Sequence, residues 1–308
     1  MASRIGSLIR GSLPPAVRVR LGRAGAGALE RYARGLGFDL VRRGFYSPLP
    51  AVEELPPEVW TRRSPLEGID FDSGEQLRFV RKNLARYIPE FDPRFETGTS
   101  FGRYDIRNLA YDEVDSELLY AFIRFLRPER VIELGSGFSS MVLAYACRAN
   151  RADGRECRYE VFDPYPRSWV RELDGLDACH ELPAQEAPDA AFDALGANDL
   201  LFVDTTHTVK VGSDVNRIVL DVLPRLAPGV VVQFHDIFIP WEYHRHWIEG
   251  DWTWNEQYLV QAFLSMNRDY EILVSCQALV REHADELTNL IPTLRAASAP
   301  SALWIRRR

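Results

Sequence analysis

Short apolar runs recur along the chain from residue 131 onwards, and most of them end at a polar residue. Between the runs, apolar residues recur at spacings of three and four, as on one face of a helix. Residues 118–126 and 215–223 show this spacing clearly. Apolar runs that alternate with helices predict an α/β protein with a mainly parallel sheet covered on both faces. The predicted strands are 131–134, 159–162, 200–203, 230–234, 270–274 and 302–305.

Charged side chains stand where four of the predicted strands end. Glu133 lies near the end of the first strand, Asp163 and Asp204 follow the next two, and His235 and Asp236 follow the fourth. Ligands of such sheets bind beyond the carboxyl ends of the strands, so we expect these side chains to share one edge. By analogy with the acid of the dinucleotide fold, Asp163 is predicted to bind a ribose diol.

The first predicted strand runs through the sequence VIELGSGFSS into a helix. Gly135, Ser136 and Gly137 make a turn at which a ligand can approach the backbone. A dinucleotide-binding loop has a third glycine, but Ser139 stands at that position, and Glu133 would repel a phosphate. The loop therefore favours a cationic cofactor over a pyrophosphate.

Composition and charge narrow the class of protein. The chain has 308 residues, 46% apolar and 26% charged, as in an ordinary globular protein. Its net charge is −7, but residues 1–43 carry +7 and the remainder −14. This basic arm (residues 1–43) suits an acidic partner or a membrane surface, although its glycines favour a solvated extension instead. The acidic remainder argues against nucleic acid as a partner.

The chain lacks the features of a membrane or secreted protein. No apolar run approaches the roughly 20 residues that span a bilayer, which predicts no stable membrane insertion. The four cysteines are scattered, which is typical of buried free thiols in a reducing cytoplasm. We divide the chain into a basic arm and linker (1–60), a helical cap (61–128) and the domain that carries the strand ends (129–308).

The order of these motifs resembles the class I S-adenosylmethionine-dependent methyltransferases, over about residues 105–308. The segments LLFVDTTHTVKVGSDV (200–215), VVQFHDIFIP (231–240) and WNEQYLVQAFL (254–264) resemble a bacterial branch near the catechol and antibiotic-sugar O-methyltransferases. The resemblance implies a Rossmann-like, doubly wound, mainly parallel seven-stranded sheet with an N-terminal helical extension. Residues 129–308 would be the methyltransferase domain.

The resemblance also implies S-adenosylmethionine as the cofactor. The glycine loop would hold its amino-acid end, the acid after the second strand would take the ribose hydroxyls, and two residues after the third strand would lie near the adenine. These cofactor-binding residues are Glu133, Gly135, Ser136, Gly137, Asp163, Gln185 and Glu186.

The implied reaction is O-methylation of a small hydroxylated molecule, such as a sugar, a polyketide-derived compound or a phenol. Metal-dependent members place ligands where Asp204, His235 and Asp236 stand. A divalent ion such as Mg²⁺ or Mn²⁺ would lower the pKa of the acceptor hydroxyl. His235 stands where an Asp is usual, so the site would bind a metal other than Mg²⁺ or no metal at all. Alternatively, His235 is itself the base, or it orients Asp236. His207 matches the family's basic residue and, with Asp204, is the predicted catalytic pair.

The remaining candidates lie outside these motifs. Residues 240–258 hold four of the seven tryptophans, which fits either an aromatic lid over the acceptor or a loop packed on the core or on a dimer surface. A homo-oligomer therefore stays open. We expect His244 and His246 of this segment not to bind a metal. Weaker candidates for the substrate side are Asn108, Tyr111 and Asp115.

Two alternative functions stay open at this point. One is an NAD-dependent oxidoreductase. Glu133, Ser139 and the His235–Asp236 pair after the strand 230–234 argue against it. The other is a non-catalytic binding protein with a methyltransferase fold. The presence of both the cofactor loop and the strand-end acids counts against it.

Overall fold

The structure is a computed structural model that describes residues 27–41, 44–250 and 252–308. The chain divides into two compact units, Met1–Leu55 and Pro56–Arg308. In the first unit, residues 27–35 are helical and Val52–Glu54 form a 3₁₀ turn. Most of the basic arm lies outside the described residues, namely residues 1–26, 42 and 43. The predicted role of the arm therefore stays a prediction. The predicted domain boundaries at residues 60 and 128 stay predictions.

Seven strands build the sheet of the second unit. They are β1 (Arg130–Leu134), β2 (Arg158–Phe162), β3 (Ala178–His180), β4 (Leu200–Val203), β5 (Val231–Phe234), β6 (Tyr270–Ser275) and β7 (Leu303–Arg307). Their order across the sheet is β3-β2-β1-β4-β5-β7-β6. The first five strands run parallel, and β7 is antiparallel to both of its neighbours. The predicted Rossmann-like, doubly wound, mainly parallel sheet is confirmed.

The central strands end at the same level of the sheet. Leu134 of β1 pairs in register with Phe162 of β2 and with Val203 of β4, and Val203 pairs with Phe234 of β5. The residues that follow these four positions therefore lie along one edge. They are Gly135, Asp163, Asp204 and His235. This confirms the expectation that the strand-end residues share one edge.

Helices cover both faces of the sheet. They are α1 (Ser73–Phe79), α2 (Asp115–Leu126), α3 (Phe138–Ala152), α4 (Asp189–Asp193), α5 (Asp214–Asn216), α6 (Arg245–Glu249), α7 (Glu256–Leu264) and α8 (Cys276–Thr288). Two of them, α1 and α5, continue as π-helical turns over Val80–Leu84 and Arg217–Val222. One apolar cluster joins α2, α3 and α8 to one face of the sheet, and a second joins α7 and the extension of α5 to the other face.

Alternation along each strand explains the two clusters. In β4, Leu200 and Phe202 belong to the first cluster, whereas Leu201 and Val203 belong to the second. A strand that is buried on both sides needs apolar residues at every position, because neighbouring side chains point to opposite faces. All four residues of β4 are buried accordingly.

The structure differs from the sequence pattern at several helices. The apolar spacing over residues 254–266 predicts a helix, and in the structure this helix begins at Glu256 and ends at Leu264. Its start is fixed because the amides of Asn255 and Glu256 both donate to the carbonyl of His207, at 3.0 and 3.1 Å. The pattern does not predict β3 or α8.

Within the described ranges, no helix has both the length and the apolar character needed to cross a bilayer.

Candidate active site

The turn after β1 brings the glycine loop against the end of β4. Gly135 has a φ of +80°, a conformation that glycine adopts without steric cost, and it packs on the backbone of Asp204. Its amide donates to Phe162 at 2.9 Å, and the amide of Asp204 donates to Leu134 at 2.9 Å. A Cβ atom on Gly137 would meet no described atom within 4 Å. The loop is therefore tied to β2 and β4 and leaves open space at Gly137.

Glu133 lies beneath this loop and has no exposed surface. The hydroxyls of Ser139 and Ser140 donate to its two carboxylate oxygens at 2.7 and 2.8 Å, and the Tyr159 hydroxyl donates as well. Ser140 also accepts the Gly137 amide at 3.0 Å. Burial outweighs these hydrogen bonds and raises the pKa of Glu133 to about 8. Glu133 therefore organises the loop through these hydrogen bonds, with a pKa above that of an exposed carboxyl. Its predicted contact with the cofactor stays a prediction.

Asp163 is joined to the loop directly. The amide and the hydroxyl of Ser136 donate to one of its oxygens at 2.8 and 2.5 Å, and the amide of Tyr165 donates to the other at 2.7 Å. Gln185 and Glu186 are exposed in a 3₁₀ turn that follows β3. The structure thus unites Ser136 with Asp163, and the predicted roles of these residues toward ribose and adenine stay predictions.

His207 lies between the two strand-end aspartates. Its Nε2 atom is 3.2 Å from Asp204 Oδ1 and 3.6 Å from Asp236 Oδ2. Both His207 and Asp236 have left-handed backbone conformations, with φ values of 55° and 57°. Such conformations cost about 1–3 kcal/mol outside glycine and persist where surrounding contacts hold them. The predicted catalytic residues His207 and Asp204 therefore meet in the structure.

Glu256, which no sequence motif indicates, contacts the other side of His207. Glu256 Oε2 lies 2.9 Å from His207 Nδ1, and the side chain is almost completely buried. The Trp254 ring packs on the imidazole with centroids 4.3 Å apart. Residues 254–256, at and just before the start of α7, therefore contact the ring, the Nδ1 atom and the carbonyl of His207. Forty-nine positions separate Glu256 from His207, and no local motif connects them.

His235 is enclosed by three aspartates. Its Nδ1 atom is 3.5 Å from both Asp204 Oδ2 and Asp236 Oδ2, and its Nε2 atom is 3.6 Å from Asp115 Oδ2. Among the described residues, none completes a hydrogen bond to Nδ1. Asp115, at the start of α2, also accepts the amide of Ser301 at 2.8 Å. The Tyr111 ring packs on His235 with centroids 4.8 Å apart.

Of the three weaker candidates, the structure thus brings Tyr111 and Asp115 to the site. The amide side chain of Asn108 instead donates to the carbonyls of Asp105 and Tyr111, both at 3.1 Å. Asn108 therefore shapes the chain before α2 and has no contact with the two histidines among those described.

The charges of this cluster reinforce one another. Burial lowers the pKa of His207, but hydrogen bonds to Asp204 and Glu256 outweigh it and raise the pKa to about 10. For His235, burial acts the same way and Asp236 and Asp204 outweigh it, so that its pKa lies well above the ordinary value. Burial would raise the pKa of Asp204, but the histidines lower it. The surrounding carboxylates therefore favour the protonated form of both imidazoles.

The cluster has the composition of a cation site. Asp204, His207 and Asp236 each offer a ligand atom, and these atoms all lie within 4.8 Å of one another. The resemblance implied His235 as the ligand in place of His207. In the structure, both imidazoles border the two aspartates. Which of them binds a metal stays a prediction.

Three tryptophans form an aromatic cluster beside His207. Trp247, Trp252 and Trp254 contact one another with ring centroids 4.9 to 5.2 Å apart. Trp252 and Trp254 are stacked, and Trp252 is 48% exposed. Trp241 lies apart, under the guanidinium of Arg281, 4.8 Å from its ring centroid. The tryptophan segment therefore contributes three rings next to the strand-end cluster.

One comparison with known proteins covers the segment that bears the strand-end residues. Residues 132–237 match a methyltransferase domain. The match runs from within β1 to the residue after Asp236, and it includes Glu133, Asp163, Asp204 and Asp236. A methyltransferase domain implies S-adenosylmethionine as the methyl donor and supports the methyltransferase resemblance. The match does not distinguish the narrower branch near the catechol and antibiotic-sugar O-methyltransferases from other methyltransferases.

Two further likenesses extend beyond this segment. An uncharacterized protein of Archaeoglobus fulgidus is 30% identical over 133 residues, which is 41% of this chain. The chain spans 59% of the length of that relative. The crystal structure of a candidate methyltransferase from Thermobifida fusca covers 82% of this chain and 98% of its own, at 16% identity and a TM-score of 0.40.

Proposed function

We propose that this protein is an S-adenosylmethionine-dependent O-methyltransferase of a small hydroxylated metabolite, such as a sugar, a polyketide-derived compound or a phenol. The observation that carries the proposal is the meeting of Asp204, His207 and Asp236 at the strand edge that also bears the Gly135 turn. A methyl acceptor bound there would contact both the donor and a group that can take its proton.

The glycine loop is the proposed cofactor site. Gly135, Ser136 and Gly137 would hold the amino-acid end, and the space at Gly137 supports this placement. Asp163 would take the ribose hydroxyls through lone pairs that Ser136 and Tyr165 leave available. The remaining proposed cofactor residues are Glu133 beneath the loop and Gln185 and Glu186 beside the adenine.

The proposed chemistry is a direct displacement. The acceptor oxygen attacks the methyl carbon, a carbon–oxygen bond forms, and the carbon–sulfur bond breaks with its electron pair left on sulfur. The hydroxyl proton passes to His207 Nε2, which borders Asp204 and Asp236. His207 accepts the proton in its neutral form. Despite burial, hydrogen bonds to Asp204 and Glu256 raise the pKa of His207, and a positive charge bound beside Asp204 would favour the neutral form.

A divalent metal fits the same residues. Four buried or partly buried carboxylates face two imidazoles, so acidic side chains outnumber the histidines around the site. Asp204 and Asp236 would hold the ion together with His235, which leaves His207 Nε2 available as the base. When bound, it would lower the pKa of the acceptor hydroxyl. Mixed oxygen and imidazole donors suit Mn²⁺, Fe²⁺ or Zn²⁺ better than Mg²⁺.

The aromatic cluster is the proposed wall of the acceptor site. Trp254 contacts His207, and the stacked ring of Trp252 leads from it to the surface. Flat rings and the apolar faces of sugars pack well on such surfaces. This supports a ring-shaped acceptor.

Cofactor binding is the first test. Thermal-shift titrations with S-adenosylmethionine, S-adenosylhomocysteine and NAD should show stabilisation by the first two. Stabilisation by NAD alone would contradict the proposal and support an oxidoreductase.

Methyl transfer is the second test. Transfer of a labelled methyl group to sugar, polyketide and catechol acceptors is measured with EDTA and after Mn²⁺ or Mg²⁺ is restored. His207→Ala should abolish most turnover, while His283→Ala, a histidine of α8 that contacts Ser73, should not. Full turnover of the His207 variant would exclude it as the base, and full turnover in EDTA would exclude a metal role.

A further inference from the structure

We propose that Glu256 is a positioning residue that fixes the orientation of His207 for proton transfer. This rests on the proposed function, because it concerns the same base. Glu256 Oε2 takes the Nδ1 side of the imidazole at 2.9 Å, which leaves Nε2 directed at Asp204 at 3.2 Å. A carboxylate that accepts the Nδ1 proton defines which ring nitrogen faces the reaction.

The remaining contacts of the Glu256 carboxylate strengthen this assignment. Its Oε1 atom is buried and has no hydrogen-bond partner among the described residues. His207 is therefore the polar side-chain contact that compensates for burying this carboxylate, and a buried acid without compensation is costly. A carboxylate kept at such a place for packing alone would be less stable than an apolar residue of similar size.

Backbone hydrogen bonds also join the segment around His207 to the segment around Glu256. The carbonyl of His207 accepts the amides of Asn255 and Glu256, and Asn255 Oδ1 accepts the amide of Val209 at 2.6 Å. These bonds hold His207, in its left-handed conformation, against the first residues of α7. With Trp254 against the ring face, the imidazole has little freedom to rotate.

The experiment measures the ring directly. Protein labelled with ¹⁵N-histidine contains six histidines, and the His207→Gln variant assigns the His207 signals by their loss. In the unsubstituted protein, the Nδ1 proton should appear far downfield and exchange slowly with water. Glu256→Gln should move this signal upfield, since a neutral amide is a weaker partner than a carboxylate, and Glu256→Ala should abolish it.

Turnover and cofactor binding complete the test. We expect kcat to fall about 10- to 100-fold in Glu256→Gln and further in Glu256→Ala, at an unchanged Kd for S-adenosylhomocysteine. Glu249→Gln, an exposed acid of α6 paired with Arg245, should change neither. If Glu256→Ala fails to fold, Glu256→Gln alone decides the question, because it preserves the volume.

The two proposals fail in different ways. An Nδ1 signal in Glu256→Gln identical to that of the unsubstituted protein, or an unchanged kcat, would overturn the role of Glu256. Absence of S-adenosylhomocysteine binding in the unsubstituted protein would overturn the proposed function, whereas the Nδ1 signal would still report the contact with Glu256.

Discussion

A Cβ atom on Gly135 would lie 1.8 Å from the carbonyl oxygen of Asp204. No side chain fits at that distance, so the turn after β1 and the end of β4 approach each other only because residue 135 is glycine. The contact links the proposed cofactor loop to the first residue of the proposed catalytic cluster. A displacement of either one therefore displaces the other.

Gly135→Ala should destabilise the protein and disrupt the site. The added methyl group meets backbone rather than a movable side chain, and the φ of +80° is strained for alanine. We expect a loss of about 2–4 kcal/mol in the free energy of unfolding, measured by urea denaturation. Gly137→Ala is the matched control, because its methyl group would meet open space. Equal losses in the two variants would contradict the argument.

The placement of the strand-end residues could be predicted from the sequence. Apolar runs with a polar residue after them leave few alternatives for a parallel sheet, and the ends of parallel strands meet at one edge. The pattern therefore predicts that Asp163, Asp204 and His235 share one edge. Their positions in register follow from backbone pairing alone.

The partners of these residues could not be predicted in the same way. Glu256 and Asp115 reach the two histidines from helices far along the chain, and side-chain packing decides such contacts. The sequence also predicts that Glu133 is a charged group that faces the cofactor. The structure surrounds it with three hydroxyls, because the loop folds over it and Tyr159 of β2 points towards it.

Asp163→Ala should weaken cofactor binding more than it weakens the fold. The substitution removes the acceptor of both Ser136 hydrogen bonds and the proposed ribose contact. We expect the Kd for S-adenosylhomocysteine, measured by calorimetry, to rise about 10- to 100-fold. Glu156→Gln is the control, since that side chain is 91% exposed. If both variants bind equally well, Asp163 has no role in the cofactor site.

Stability of the free protein should fall as the pH rises from about 5 to 8. The folded pKa of Glu133 is about 8, whereas its unfolded value is near 4.5, so the folded state binds more protons throughout this interval. The contribution to the free energy of unfolding is on the order of 3 kcal/mol. Urea denaturation at several pH values should show this slope, and Glu133→Gln should flatten it. Parallel slopes for both proteins would show that Glu133 does not titrate in this interval.

Trp252 and Trp254 should affect different kinetic constants. Trp252 is exposed and stacks on Trp254, so Trp252→Ala should raise the acceptor KM about fivefold and leave kcat unchanged. Trp254 packs on the imidazole of His207, so Trp254→Ala should lower kcat by releasing the base. Steady-state kinetics with an acceptor identified by methyl transfer would measure both, with Trp241→Phe as the control beside Arg281. An unchanged acceptor KM in Trp252→Ala would remove this ring from the acceptor site, because an exposed ring that stacks on the acceptor must contribute to its binding.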